Sequence, residues 1–200
     1  MRLLAVVAVV ALSACVTYST YVGTAEPFEP HELDRDPAWI AVRTVPLTRQ
    51  VSQVDCGAAA IAMVVSFWTT APTAQLADAL RPVQPPGLEA GRLRDFARQH
   101  HLRAYLVSGT VADLERELAA GRPVVVGLYK PQRKGSLTHY EVVVGFNRQT
   151  GTVVTLDPAE GWRQNNLPNF LEEWKHSSNL TLVVVGREPE SEPLRSASVW

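Results

Sequence analysis

The chain has 200 residues, 46% of them hydrophobic, which is enough for one well-filled core, and its formal net charge is −1. It has no excess or cluster of Lys and Arg, so nothing in it suits a phosphate backbone, and nucleic acid is excluded as a partner. There is also no run of about 18 apolar residues, so no ordinary membrane-spanning helix is expected.

The N-terminus reads as an export signal. Met1-Arg2 is a minimal charged region, residues 3–12 are apolar, and Leu12-Ser13-Ala14 leads into Cys15. This resembles the bacterial lipoprotein signal, in which residues 1–14 are removed and lipid is attached to Cys15. An ordinary secretory signal with a chance cysteine is the plainer alternative. Lipid would anchor the chain to a membrane of the cell envelope. Val16, in place of an aspartate that resembles an inner-membrane retention signal, points to the periplasmic face of the outer membrane in a Gram-negative organism. Residues 15–37 hold Pro27, Pro30 and Pro37 and show no periodicity, so they read as a lipidated tether. Extended, such a segment spans up to roughly 70 Å.

Residues 38–186 should form one α+β domain. The first ordered piece is expected at residues 39–42. A helix over residues 55–68 is apolar on every side and belongs in the interior. Residues 69–72 break it, and a short helix follows to residue 80. Pro82, Pro85, Pro86 and Gly87 make a loop. Residues 88–100 are amphipathic, with Leu93, Phe96, Ala97 and His100 on one stripe. A strand is expected at 103–107, then a helix at 110–120 opened by a capping box of Thr110 and Asp113. Strands dominate thereafter: 123–129, 137–146 and 152–156, the last two joined as a hairpin. A loop over 157–166, a helix from Pro168 to about 175 and a strand over 180–186 complete the domain. Residues 187–200 form a polar tail. Helices first and a hairpin-connected sheet second describe an α+β fold.

Chemistry gathers at few positions. Cys56 falls in the first turn of the apolar helix, beside unpaired backbone N–H groups, with Asp55 as a plausible N-cap. That setting favours a thiolate, although the same features suit a small buried hydrophobe. With Cys15 lipidated, Cys56 is the remaining cysteine of two, so an exported chain would carry an unpaired thiol, which marks it as reactive. A thiolate nucleophile needs an imidazole to accept its proton, a group to orient that imidazole, and donors for an oxyanion. His139 opens an apolar strand; alternation puts it with Glu141 and Val143, opposite Tyr140, Val142 and Val144. Asp157 closes the next strand of the hairpin, so it should stand beside His139 and accept its Nδ1–H. A plain turn starter, Asp157-Pro158, is the other reading. Gln50, six residues before Cys56, could supply an oxyanion donor, with Gln53 as a competitor. Glu141 could line a substrate subsite or be an exposed strand carboxylate, and Trp162 could wall a cleft or simply pack. Lys130, Arg133 and Lys134 read as a solvated loop. His31, His100, His101 and His176 show no metal spacing.

Taken together, Gln50, Asp55-Cys56-Gly57 with its small-apolar helix, His139-Tyr140-Glu141-Val142-Val143 and Asp157-Pro158-Ala159-Glu160-Gly161 resemble the double-glycine leader peptidases. These are the papain-like cysteine peptidases that process bacteriocins. The resemblance covers roughly residues 44–186 and implies a papain-like fold, here as a stand-alone bacterial lipoprotein. It implies Cys56 as nucleophile, His139 as general base and acid, Asp157 as orienting group and Gln50 as oxyanion donor. Peptide bonds would be hydrolysed through a thioester, with neither metal nor cofactor. The family's exporters continue into membrane helices and an ATPase, so cleavage after Gly-Gly is not carried over. The partners expected are a peptide or unfolded protein, a membrane through the lipid, and an envelope complex. Two other functions stay open. One is a peptidoglycan stem-peptide endopeptidase, whose motif has serine where Gly57 stands. The other is a non-catalytic peptide-binding or assembly module on the same fold.

Overall fold

An alanine-rich, uncharged stretch of 14 residues forms α1 (Cys56–Thr69) in the computed structural model, which describes residues 23–82, 87–131 and 136–187. Alanine gives helix propensity and the lack of a polar face gives burial; every residue from Cys56 to Ser66 is buried. The helix stops at Thr70, which takes a left-handed φ of 61° while its N–H closes on Ser66 O at 2.7 Å. α2 (Thr73–Leu80) and α3 (Ala90–Gln99) pack beside α1. α4 (Val111–Ala119) carries the predicted capping box, with both Thr110 and Asp113 bonds made.

The strands are β1 (Glu26–Pro27), β2 (Trp39–Ala41), β3 (Leu102–Ser108), β4 (Val124–Pro131), β5 (Ser136–Asn147), β6 (Thr152–Asp157), β7 (Gly161–Asn166) and β8 (Leu180–Arg187). They form one sheet in the order β1-β7-β6-β5-β4-β8-β3, with β2 pairing on β5 beyond the end of β4. Every pairing is antiparallel. α1 covers the face carrying Tyr140, for an added Cβ on Gly57 would lie 3.2 Å from that ring. α5 (Leu167–Lys175) covers the opposite face, where its Glu173 meets Lys130. Among the described residues no helix is long and apolar enough to cross a membrane.

Two expectations change. The segment read as a tether to residue 37 is held by the domain from Thr24 onward. β1 pairs with β7, the Phe28 N–H donates to Trp162 O at 3.1 Å, and Phe28 and Leu33 are buried. Single large apolar residues spaced among prolines anchor a strap without producing any periodicity. The expected loop over 157–166 contains β7, which pairs with β6 along its whole length. Its residues are mostly polar because β7 lies near the sheet's edge, where only two-residue β1 covers it. The predicted signal with Cys15, the tail from residue 188, Pro85, Pro86, Arg133 and Lys134 lie outside the described residues.

Candidate active site

The loop before α1 sets the site. Asp55 stands at the N-cap position, yet its carboxylate does not cap α1. It accepts instead from the N–H groups of Val51 at 3.1 Å and Ser52 at 2.9 Å, with Arg81 Nε 3.4 Å away. The tight loop needs those donors satisfied, and a short carboxylate can reach only one set. First-turn N–H groups of α1 are therefore not taken up by Asp55. Those of Cys56 and Gly57 bear on the Cys56 sulfur. The Gln50 N–H donates to Pro158 O at 2.9 Å, which stitches this loop to the one that follows Asp157.

Cys56 is buried, and its sulfur lies against the backbone N–H of Tyr140, the residue after His139. Gly57 permits this approach: a Cβ there would stand only 3.2 Å from Tyr140 Cδ2 and 3.3 Å from Leu93 Cδ2. The sulfur's charge state departs from expectation. Burial pushes the thiol above its ordinary value, more than the N–H groups of Tyr140, Gly57 and Cys56 pull it down, and the Asp55 charge adds to the rise. Burial thus favours the thiol over the thiolate, because the helix N-terminus supplies local dipoles while the apolar helix removes the water.

His139 is 1% exposed, and its Nε2 lies 2.7 Å from Asp157 Oδ1. The hairpin thus joins the two as expected, through Nε2 instead of the expected Nδ1. Asp157 Oδ1 also accepts the Ala159 N–H at 2.7 Å. Burial pushes the Asp157 carboxyl up to about 7 and the imidazole down to about 4, since each charge loses its hydration. Gln50 is buried as well. Its Nε2 donates to Ser52 O at 3.0 Å, while its Oε1 is buried without a hydrogen-bond partner. Tyr140, which sequence reasoning passed over, lays its ring against Gly57. Burial above all pushes its hydroxyl up to about 12, with Glu89 and, once ionised at high pH, Cys56 adding to the rise.

Of the two proposed subsite residues, Glu141 does not play that part. Glu141 is 1% exposed and paired with Lys130, Nζ to Oε1 2.7 Å, with no surface to offer a substrate. Lys130, read as part of a solvated loop, is equally buried. A pattern of one lysine among apolar strand residues does not reveal that two carboxylates wait for it. Trp162 is half-buried on β7, across from Leu156 on the face that α1 covers, and packs against the core with one side left exposed. His139, Glu141 and Asp157 bring ligand-type atoms within 4.8 Å of one another. The ammonium of Lys130 stands where a cation would compensate Glu141. Cavities of about 740 Å³ beside Arg103 and about 450 Å³ beside Tyr129 touch neither Cys56 nor His139.

The sequence profile of the Peptidase_C39 like family matches residues 42–182. No curated protein matches the chain. In structure it is similar to a C39-like peptidase from Bacillus anthracis, with TM-score 0.61 and 16% identity over 76% of this chain and 99% of that one. It is similar also to the peptidase domain of Streptococcus ComA, a bifunctional ABC transporter of a quorum-sensing pathway, with TM-score 0.57 and 21% identity over 72% and 99%. A double-glycine motif protease from an AMS/PCAT transporter, in complex with its leader peptide, gives TM-score 0.55 and 21% identity over 72% and 92%. These likenesses establish the fold as the papain-like α+β architecture of such peptidases.

Proposed function

Because this chain belongs to the Peptidase_C39 like family, we propose that it is a cysteine-type peptidase with Cys56 as nucleophile. His139 is its general base and acid, Asp157 orients the imidazole, and Gln50 donates to the oxyanion. One observation carries the reading: the buried 2.7 Å contact of His139 with Asp157, on the strand whose next N–H bears on the Cys56 sulfur. With Nε2–H donated to Asp157, Nδ1 is the nitrogen that takes the thiol proton. The sulfur then attacks the carbonyl carbon of a peptide bond. The resulting oxyanion is held by the Cys56 N–H and by the second N–H of the Gln50 amide, the first being donated to Ser52 O. The imidazolium protonates the departing amine, the C–N bond breaks and a thioester remains. Water, losing a proton to His139, attacks the thioester; the acid product leaves and the thiol is restored.

The substrate is a peptide or an unfolded protein segment met at the cell envelope. Incubating the full chain with a peptide pool and reading products by mass spectrometry tests the reaction. Cleavage by wild type should vanish in Cys56→Ala, and cleavage that persists there sinks the assignment. The lipid anchor belongs to the same proposal. A palmitate analogue fed to expressing cells is expected to label wild type and not Cys15→Ser; equal labelling of both removes the anchor.

A further inference from the structure

Behind the His139–Asp157 pair lies a charged layer that the steps above do not use. Lys130 Nζ stands 2.7 Å from Glu141 Oε1 and 2.6 Å from Glu173 Oε2. The Thr155 hydroxyl donates to Glu141 Oε2 at 2.6 Å. Glu173 is clamped in turn by Thr24, whose hydroxyl and N–H reach its Oε1 at 3.1 and 3.3 Å. Burying such a cluster is costly, and packing alone is served as well by apolar residues of the same volume. Its position is what distinguishes it, with Glu141, His139 and Asp157 mutually within 4.8 Å.

We propose that Glu141 is a positioning residue for His139: its carboxylate, aimed by Lys130 and Thr155, favours the charged imidazolium over the neutral ring inside a fully buried site. Every ionisable group around the ring enters the balance. β4 presents Lys130, β5 Glu141, β6 Asp157 and α5 Glu173, while Cys56 approaches from α1 through the Tyr140 N–H. Glu160 and Arg163 act on Asp157. Burial is what drives the ring down to about 4; against it, the Glu141 charge pushes upward more strongly than the Lys130 charge pushes downward. Burial also pushes the Glu141 carboxyl up, but Lys130, then His139, more than offset this and hold it below the usual carboxylate range. Lys130 thus keeps Glu141 ionised, and Glu141 presents the negative end of the pair to the ring.

The inference rests on the peptidase reading for what the imidazolium does, namely protonate the leaving amine. The charge coupling itself is measurable without a substrate. In protein carrying ¹⁵N-histidine, the His139 ring signals are assigned by their loss in His139→Gln, and their pH midpoint is followed. Glu141→Gln removes the charge, leaves Lys130 with Glu173 and still accepts from Thr155. Its His139 midpoint is expected to fall by about one pH unit, a tenfold weaker hold on the proton. Glu141→Asp, which keeps the charge, should restore most of the shift, whereas a purely structural role moves neither midpoint. An unchanged or raised midpoint in folded Glu141→Gln overturns the inference. If that variant does not fold, Thr155→Val decides, because removing the hydroxyl that aims Glu141 Oε2 and helps keep it ionised must also lower the midpoint, and an unchanged midpoint there overturns the inference. A lowered midpoint in a protein that cleaves no peptide upholds the coupling and removes the peptidase reading, so the two failures are told apart.

Discussion

His139→Ala is expected to lower turnover about 10⁶-fold, as deeply as Cys56→Ala, and the double variant should fall no further. A nucleophile and its base act as a unit, so removing either removes the reaction. Additive losses in the double variant would show that the two residues do not share a step. Asp157→Asn should cost less, about tenfold, the difference between a charged and a neutral acceptor. An amide oxygen at that position still accepts both the His139 Nε2–H and the Ala159 N–H. The pH profile separates these roles. Burial places Asp157 at about 7; below that pH the carboxyl is protonated and its O–H donates to Nε2, which drives the ring proton to Nδ1. A ring protonated at Nδ1 does not accept the thiol proton. Wild-type turnover should therefore rise through about pH 7, and that limb should be absent from Asp157→Asn. An acid limb that survives the substitution would assign it to some other group. For stability the sign is opposite. A raised carboxyl contributes stability that is complete below its unfolded value of 3.8 and is lost as pH rises through about 7.

Lys130→Met should destabilise the protein by about 3–5 kcal/mol near neutral pH, the cost of leaving buried carboxylates without their cation. Lys130 Nζ lies within 2.7 Å of both Glu141 and Glu173, and the lysine is only 1% exposed, so solvent does not replace it. The deficit should depend on pH in a definite direction. In wild type the Glu141 carboxyl is held below its usual range, so its contribution is present above about 4.5 and lost as pH falls. Without Lys130, the burial that raises Glu141 is opposed only by His139 and the Thr155 hydroxyl, so the protonated form gains. The variant's deficit should therefore shrink as pH falls toward 4, because protonating Glu141 relieves the variant and costs the wild type. Denaturant unfolding at pH 8 and pH 5 measures both arms. A deficit of the same size at both values, or none at all, would mean that the network is not the buried charge balance described here. The comparison also probes the N-terminal strap, since Thr24 holds the far end of the network through Glu173.

How far the fold was legible varies with the kind of signal. α1 was plain from composition, because an uncharged alanine-rich stretch has only one place to go. α4 was plain from the Thr110–Asp113 capping box, which is local chemistry. The β5–β6 hairpin was equally readable, and with it the meeting of His139 and Asp157. β7 was missed because its residues are polar at a lightly covered edge. The strap was missed because Phe28 and Leu33 act singly, and Asp55 looked like a cap because sequence cannot show which of two nearby sets of N–H groups a carboxylate will choose.

The chain by itself determined the family pattern, the buried helix that carries Cys56 and the pairing of imidazole with carboxylate. The last two rest on local propensity and on spacing within one helix or one hairpin, and the first on short motifs spread from Gln50 to Gly161. Only the tertiary structure decided which ring nitrogen Asp157 takes, that burial raises the Cys56 thiol above its ordinary value, and that Lys130, Glu141 and Glu173 form a buried network. These outcomes depend on how much water burial removes and on which distant groups it brings together, and neither quantity is written in the order of residues.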